Sequence, residues 1–168
     1  RNKFALPKAP LVKHLRDIGF DQVTDRMSYQ EVMDFNEQAW QVSLTWDVFD
    51  WLRSITSLPL LIKGVLRKDD ARRAVSIGLD GIVVSNHGGR RLDGMPATID
   101  VLPDIVKAVG ERTEIYMDGG IRRGTDILKA LARGARAVLI GRPYAWGLGA
   151  GGEGGVRIVL ELLREEFE

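Results

Sequence analysis

The chain has 168 residues, no cysteine, and 24 Lys+Arg against 23 Asp+Glu, a net charge of +1. That length suits one domain with a sizeable core, and the charge balance gives no electrostatic case for nucleic acid or an anionic membrane as partner. Disulfides, a thiolate nucleophile and Cys-ligated zinc are excluded, and with His14 and His87 the only histidines, so is a His-rich metal site. The longest apolar run is well short of a membrane span and the N-terminus lacks a signal-peptide core, so a soluble, cytoplasmic protein is expected.

Residues 1–43 are the least readable stretch, and from Val12 to Gln41 no period of 2 or 3.6 persists. Arg1 to Pro10 is basic and Pro-containing, and Tyr29–Trp40 is a candidate helix. Such a stretch reads either as a functional lid over an active site or as a disordered tail.

From Thr45 the pattern is regular. Thr45 N-caps an expected helix over Trp46–Ile55, with Trp46, Phe49 and Leu52 or Arg53 stacking at helical spacing, the aromatics toward a core. A strand is expected at Pro59–Lys63, then a helix over Asp69–Ile77 stopped by Gly78. Gly81-Ile82-Val83-Val84, running into Ser85, reads as a buried strand. A helix follows with Ile99, Leu102, Ile105, Val106 and Val109 on one face. Then come a strand at Glu114–Met117, a helix over Thr125–Ala132 and a strand at Ala137–Ile140. The last helix, Gly155–Phe167, is expected to bury Val156, Val159, Leu160 and Leu163. Strict alternation predicts an α/β fold with a parallel sheet, either open and doubly wound or part of a closed (β/α)8 barrel. A half barrel would leave two open strand edges for another chain to cover.

Chemistry in such folds sits on loops after the strands. Lys63 closes the first strand. After the second, Ser85-Asn86-His87-Gly88-Gly89-Arg90 places an imidazole beside a guanidinium on a glycine-rich turn, a base next to an anion clamp. Ser85 and His87, two apart on an extended backbone, are expected to look into one cavity. No G-x-S-x-G elbow supports a Ser-His hydrolase. Asp118-Gly119-Gly120-Ile121-Arg122-Arg123-Gly124 opens a helix with bare amides and a guanidinium, and Gly141-Arg142-Pro143 repeats the pairing one strand on. Gly plus Arg at consecutive strand ends is the expected phosphate site of a barrel. Gly147-Leu148-Gly149-Ala150-Gly151-Gly152 matches G-x-G-x-x-G by count but lacks the strand that a dinucleotide site requires.

Those four motifs, in that order, resemble the FMN-dependent L-2-hydroxy acid oxidase and dehydrogenase family, which includes glycolate oxidase, lactate oxidase and mandelate dehydrogenase. Arg1-Asn2-Lys3-Phe4 with Pro7 is similar to the family's segment after strand 4. The resemblance implies a (β/α)8 TIM barrel binding FMN, of which this chain supplies strands 5–8 in residues 44–168, with residues 1–43 as the variable loop roofing the site. It implies that Lys63 and Ser85 lie against the flavin ring and that His87 is the catalytic base. Arg90 would clamp the carboxylate of a small-molecule 2-hydroxy acid substrate. Asp118, Gly119, Gly120, Ile121 and Arg122, with Gly141 and Arg142, would hold the ribityl chain and phosphate. Where the family often has Gln, this chain has Arg91, an added cation that either favours a more acidic substrate or faces solvent. The implied partners are the N-terminal half of the same barrel and, when complete, further copies in a homo-oligomer. Alone, the chain is expected to be inactive. An isomerase or aldolase using Lys63 as a Schiff base, or a non-catalytic half barrel, are the alternatives.

Overall fold

Short runs of β-branched and aliphatic residues between glycine-stopped helices build a single parallel sheet. The computed structural model describes residues 8–17, 19–40 and 44–168. Two compact units divide the chain, Arg1–Asp50 and Trp51–Glu168.

In the second unit, β1 (Leu61–Val65), β2 (Gly81–Val84), β3 (Glu114–Met117) and β4 (Ala137–Val138) pair side by side in chain order, every pair parallel. β2 is buried at all four positions because strands flank it on both edges. A bulge interrupts β1: Lys63 pairs with Val83 and Val65 with Val84, leaving Gly64 as the extra residue. Helix α4 (Lys68–Ser76) buries Ala71 and Ala74 and stops at Gly78, whose φ of +75° favours glycine. Helix α5 (Thr98–Val109) buries Thr98, Leu102, Ile105 and Val109, a spacing that keeps them on one face. Helix α6 (Gly124–Ala132) leads into β4, and α7 (Arg142–Glu165) closes the chain with a break at Gly151 and Gly152.

Several elements depart from the sequence expectation. β1 begins at Leu61 and not at Pro59, because the Leu60 N–H is drawn to Asp80 Oδ2 at 2.7 Å and proline has no N–H to give. β4 is two residues long, although the Leu139 N–H still reaches the Met117 carbonyl at 2.9 Å. Helix α3 (Val48–Ile55) starts two residues after Trp46, since the Val48 N–H closes a turn onto the Thr45 carbonyl. None of Trp46, Phe49 and Leu52 is buried, and the Trp46 and Phe49 rings meet each other at 6.0 Å. Of the four residues expected to pack from the last helix only Leu163 is buried, while Leu160 is 49% exposed. The first turns of α7 were absent from the expectation, because six glycines between positions 147 and 155 argue against a helix. Those glycines serve a close approach. A Cβ on Gly147 would lie 2.6 Å from the Gly155 carbonyl oxygen.

The first unit holds α1 (Lys8–Asp17) and α2 (Tyr29–Trp40), the latter as expected. Pro10 sits in the first turn of α1, where its missing N–H costs nothing. Leu11, Val12, Leu15, Val23 and Val32 form a small core, and Phe20 meets Phe35 edge-on at 6.1 Å. Ser28 and Glu31 exchange backbone-to-side-chain bonds of 2.7 and 3.3 Å, a capping box that starts α2. The similarity noted for Arg1-Asn2-Lys3-Phe4 and Pro7 lies outside the described residues.

Candidate active site

Parallel pairing sets the C-terminal ends of the four strands in a row, and a network of side chains ties them together. Lys63 Nζ donates to Ser85 Oγ at 2.9 Å and pairs with Asp118 Oδ2 at 2.7 Å, so one ammonium spans the ends of β1, β2 and β3. Two of its three donors are thereby committed, which argues against a free amine awaiting a carbonyl.

Ser85 is fully buried. Its Oγ also accepts the His87 N–H at 3.1 Å. The strand has ended at Val84, so the alternation expected to aim Ser85 and His87 the same way does not extend to them. Ser85 lies beneath the site, and His87 reaches it from a single 3-10 turn, His87–Gly89, at φ +54°. Asn86 fixes that turn: its Oδ1 accepts the Gly88 N–H at 3.0 Å and its Nδ2 donates to the Pro96 carbonyl at 3.2 Å. Asp93 accepts the N–H of Gly94 and is exposed, with no bond to His87.

On the β3 side, Thr98 Oγ1 donates to the Asp118 carbonyl at 2.6 Å, and the Asp118 N–H to the Val84 carbonyl at 3.0 Å. Asp118 Oδ1 is buried and takes no hydrogen bond among the described residues. A buried carboxylate oxygen without a donor marks a place for one. Gly119 suits its place, at a φ of +91° that favours glycine and where a Cβ would crowd Asn86 Oδ1 at 3.0 Å and Thr98 Oγ1 at 3.1 Å. Neither Asn86 nor Thr98 stood out in the sequence, because ordinary loop and helix-start residues carry no motif of their own.

Arg122 and Arg142 come from the last two strand ends. The Arg122 guanidinium lies over the Trp146 ring, 5.8 Å from its centroid, and Arg142 Nη2 donates to the Gly88 carbonyl. The amides that lead into α6 and its first one are already served by this chain: Asp126 Oδ2 accepts from Arg122 and Arg123, just before the helix, and Glu166 Oε2 from Gly124. An anion is therefore offered the start of α7 at Gly141 and Arg142, a helix terminus that the sequence reading did not contain.

Lys63, His87, Arg90, Arg122 and Arg142 all face one open cavity of about 840 Å³, together with Asp118, Gly119, Gly120, Ile121 and Gly141. Every residue given a catalytic, substrate or cofactor role in the sequence lines it except Ser85, which holds two of the others from below. Arg91 lines it as well.

A family profile described as FMN-dependent dehydrogenase matches residues 1–168. The chain belongs to the FMN-dependent dehydrogenase family. It is 53% identical to 2-hydroxyacid oxidase 1 of Mus musculus over 169 residues, 99% of this chain and 46% of that protein. To the L-lactate oxidase of Nostoc sp. it is 51% identical over 167 residues, again 99% of this chain and 46% of the relative. A solved mandelate oxidase variant with the monooxide FMN adduct superposes with a TM-score of 0.71 at 55% identity, over 73% of this chain and 39% of that one. The chain thus spans less than half the length of these relatives, and its four β/α units are part of a (β/α)8 barrel. FMN is the family's cofactor. The residues present fit it: the unpartnered Asp118 oxygen suits a polyol hydroxyl, and two guanidiniums flank a helix start suited to a phosphate.

Proposed function

We propose that this chain is the C-terminal half of an enzyme that oxidises an L-2-hydroxy acid to the 2-oxo acid with FMN. The observation that carries the reading is the single cavity onto which an imidazole, an ammonium and four guanidiniums converge from four strand ends. Arg90 binds the substrate carboxylate through its planar fork of donors, which fixes the α-carbon in place. His87 accepts the α-hydroxyl proton on an imidazole nitrogen. FMN, when bound, supplies the acceptor for the hydride equivalent that leaves the same carbon. Lys63, held by Ser85 and Asp118, places a positive charge where negative charge develops during the reaction. Arg122, Arg142 and Gly141 hold the cofactor phosphate, and Asp118, Gly119, Gly120 and Ile121 its polyol.

The N-terminal half of the barrel supplies the remaining strands, and the completed enzyme assembles as a homo-oligomer. A cytoplasmic location rests on composition alone. Among the described residues no helix is long and apolar enough to cross a membrane.

Kinetics of the barrel completed with its N-terminal half test the assignment. Replacing His87 by Asn removes the base, with an expected loss of about 100-fold or more in kcat. Replacing Arg90 by Met weakens substrate binding first, read as a raised KM. Near-normal kcat in the His87→Asn enzyme would refute the assignment.

A further inference from the structure

The bulge in β1 has a consequence for the imidazole opposite it. Gly64 is the residue left over between Lys63 and Val65 in the register with β2, and its φ is +102°. A Cβ built on it would lie 2.9 Å from His87 Nε2, with Cε1 at 3.7 Å and Cδ2 at 3.8 Å. The ring of His87 therefore rests against the bare Cα of Gly64, closer than any side chain would allow.

His87 is held from its other side as well. Its N–H is bound by the buried Ser85 Oγ, and its own φ of +54° is one that residues with a Cβ seldom adopt. Backbone strain of this kind persists only where the surroundings fix it. Here the Ser85 and Asn86 bonds fix the turn, and the gap at Gly64 receives the ring that the turn presents. The same bulge separates two tasks on neighbouring residues. Lys63 reaches toward Ser85 and Asp118, while the next position yields its space to the imidazole.

We infer that Gly64 is a positioning residue for His87: its missing side chain seats the imidazole at the cavity wall. This role rests on the reading of His87 as the base. A methyl group at position 64 displaces the ring, and a misplacement of about 1 Å in a reacting group costs on the order of 100-fold in rate.

The test needs no turnover. The 168-residue chain has two histidines, so its imidazole NMR signals form two sets, and the His87→Asn variant assigns them. In Gly64→Ala the His87 ring signals are expected to move, with those of His14 unchanged. The backbone cost of a positive φ falls on Gly64→Ala whether or not the ring is present, whereas the steric cost requires the ring. Gly64→Ala should therefore lower the folding equilibrium constant about fivefold more in the wild-type background than in His87→Asn, as coupled neighbours do. Equal penalties in the two backgrounds with unmoved His87 signals would overturn the inference. Should Gly64→Ala not fold, the Gly64 α-proton resonances decide alone. They are expected to carry a ring-current shift in the wild type that vanishes in His87→Asn, and unchanged resonances would overturn it. Failure of the base assignment would appear separately, as retained activity in the completed His87→Asn enzyme.

Discussion

The Lys63 ammonium and the Asp118 carboxylate meet at 2.7 Å across the end of β2, the strand that lies between their own. The pair is a clamp on the floor of the cavity, with Ser85 as its third member. Lys63 is 42% exposed and Asp118 19%, so solvent screens part of the attraction.

Breaking this clamp should be felt in stability before chemistry is considered. Asp118→Asn and Lys63→Met are each expected to lower the unfolding free energy by about 1 kcal/mol, and the double variant by less than the sum. Urea titration of the three variants checks this. Additive losses would mean that the contact contributes nothing of its own.

The end of α7 offers a pH-dependent counterpart. Glu166 accepts from Arg123 Nε at 2.7 and 2.9 Å and from the Gly124 N–H at 2.8 Å, and these bonds, the arginine's foremost, hold its carboxyl below the usual 4.5. A carboxyl with a depressed folded pKa stabilises above its unfolded value and loses that contribution as pH falls through the folded one. The stability gap between wild type and Glu166→Gln should thus be complete at neutral pH and close progressively below about 4.5. Thermal unfolding across that range measures it. A gap independent of pH would contradict the assignment.

Two glycines of neighbouring sequence should behave differently. A Cβ on Gly124 would come 2.4 Å from the Phe167 nitrogen and 2.5 Å from the Leu163 oxygen, backbone atoms that cannot step aside. Gly124→Ala is expected to cost about 1–3 kcal/mol and to speed hydrogen exchange at the end of α7. Gly120 has open space around it but a φ of +81°, so Gly120→Ala should cost about 1 kcal/mol and leave α7 exchange unchanged. Matching exchange profiles would show that α7 does not dock where Gly124 places it.

Much of this arrangement was legible in the residues. The existence of four strands and the positions of Lys63, His87, Asp118 and Arg142 at their ends follow from apolar runs that end in polar or glycine-rich turns, because burial and turn chemistry are local signals. The role of Ser85 was not, since it depends on where β2 stops, a matter of pairing between distant strands. The first half of α7 was hidden by its glycines, whose purpose shows only when Gly147 and Gly155 are brought face to face. Likewise, Asp126 and Glu166 take amides at the entrance to α6 that the sequence alone would leave to a ligand, and Glu166 lies 42 residues from the amide it binds. The small core of the first unit escaped notice because its apolar positions are shared among two helices and the loop between them.

The most direct measurement is anaerobic bleaching of flavin absorbance. The barrel completed with its N-terminal half and loaded with FMN should lose its visible band when an L-2-hydroxy acid is added. In the His87→Asn form the loss should be slowed by about 100-fold or more, with the flavin still bound. A band that stays intact with every L-2-hydroxy acid tried, or that bleaches equally fast without the imidazole, would contradict the account.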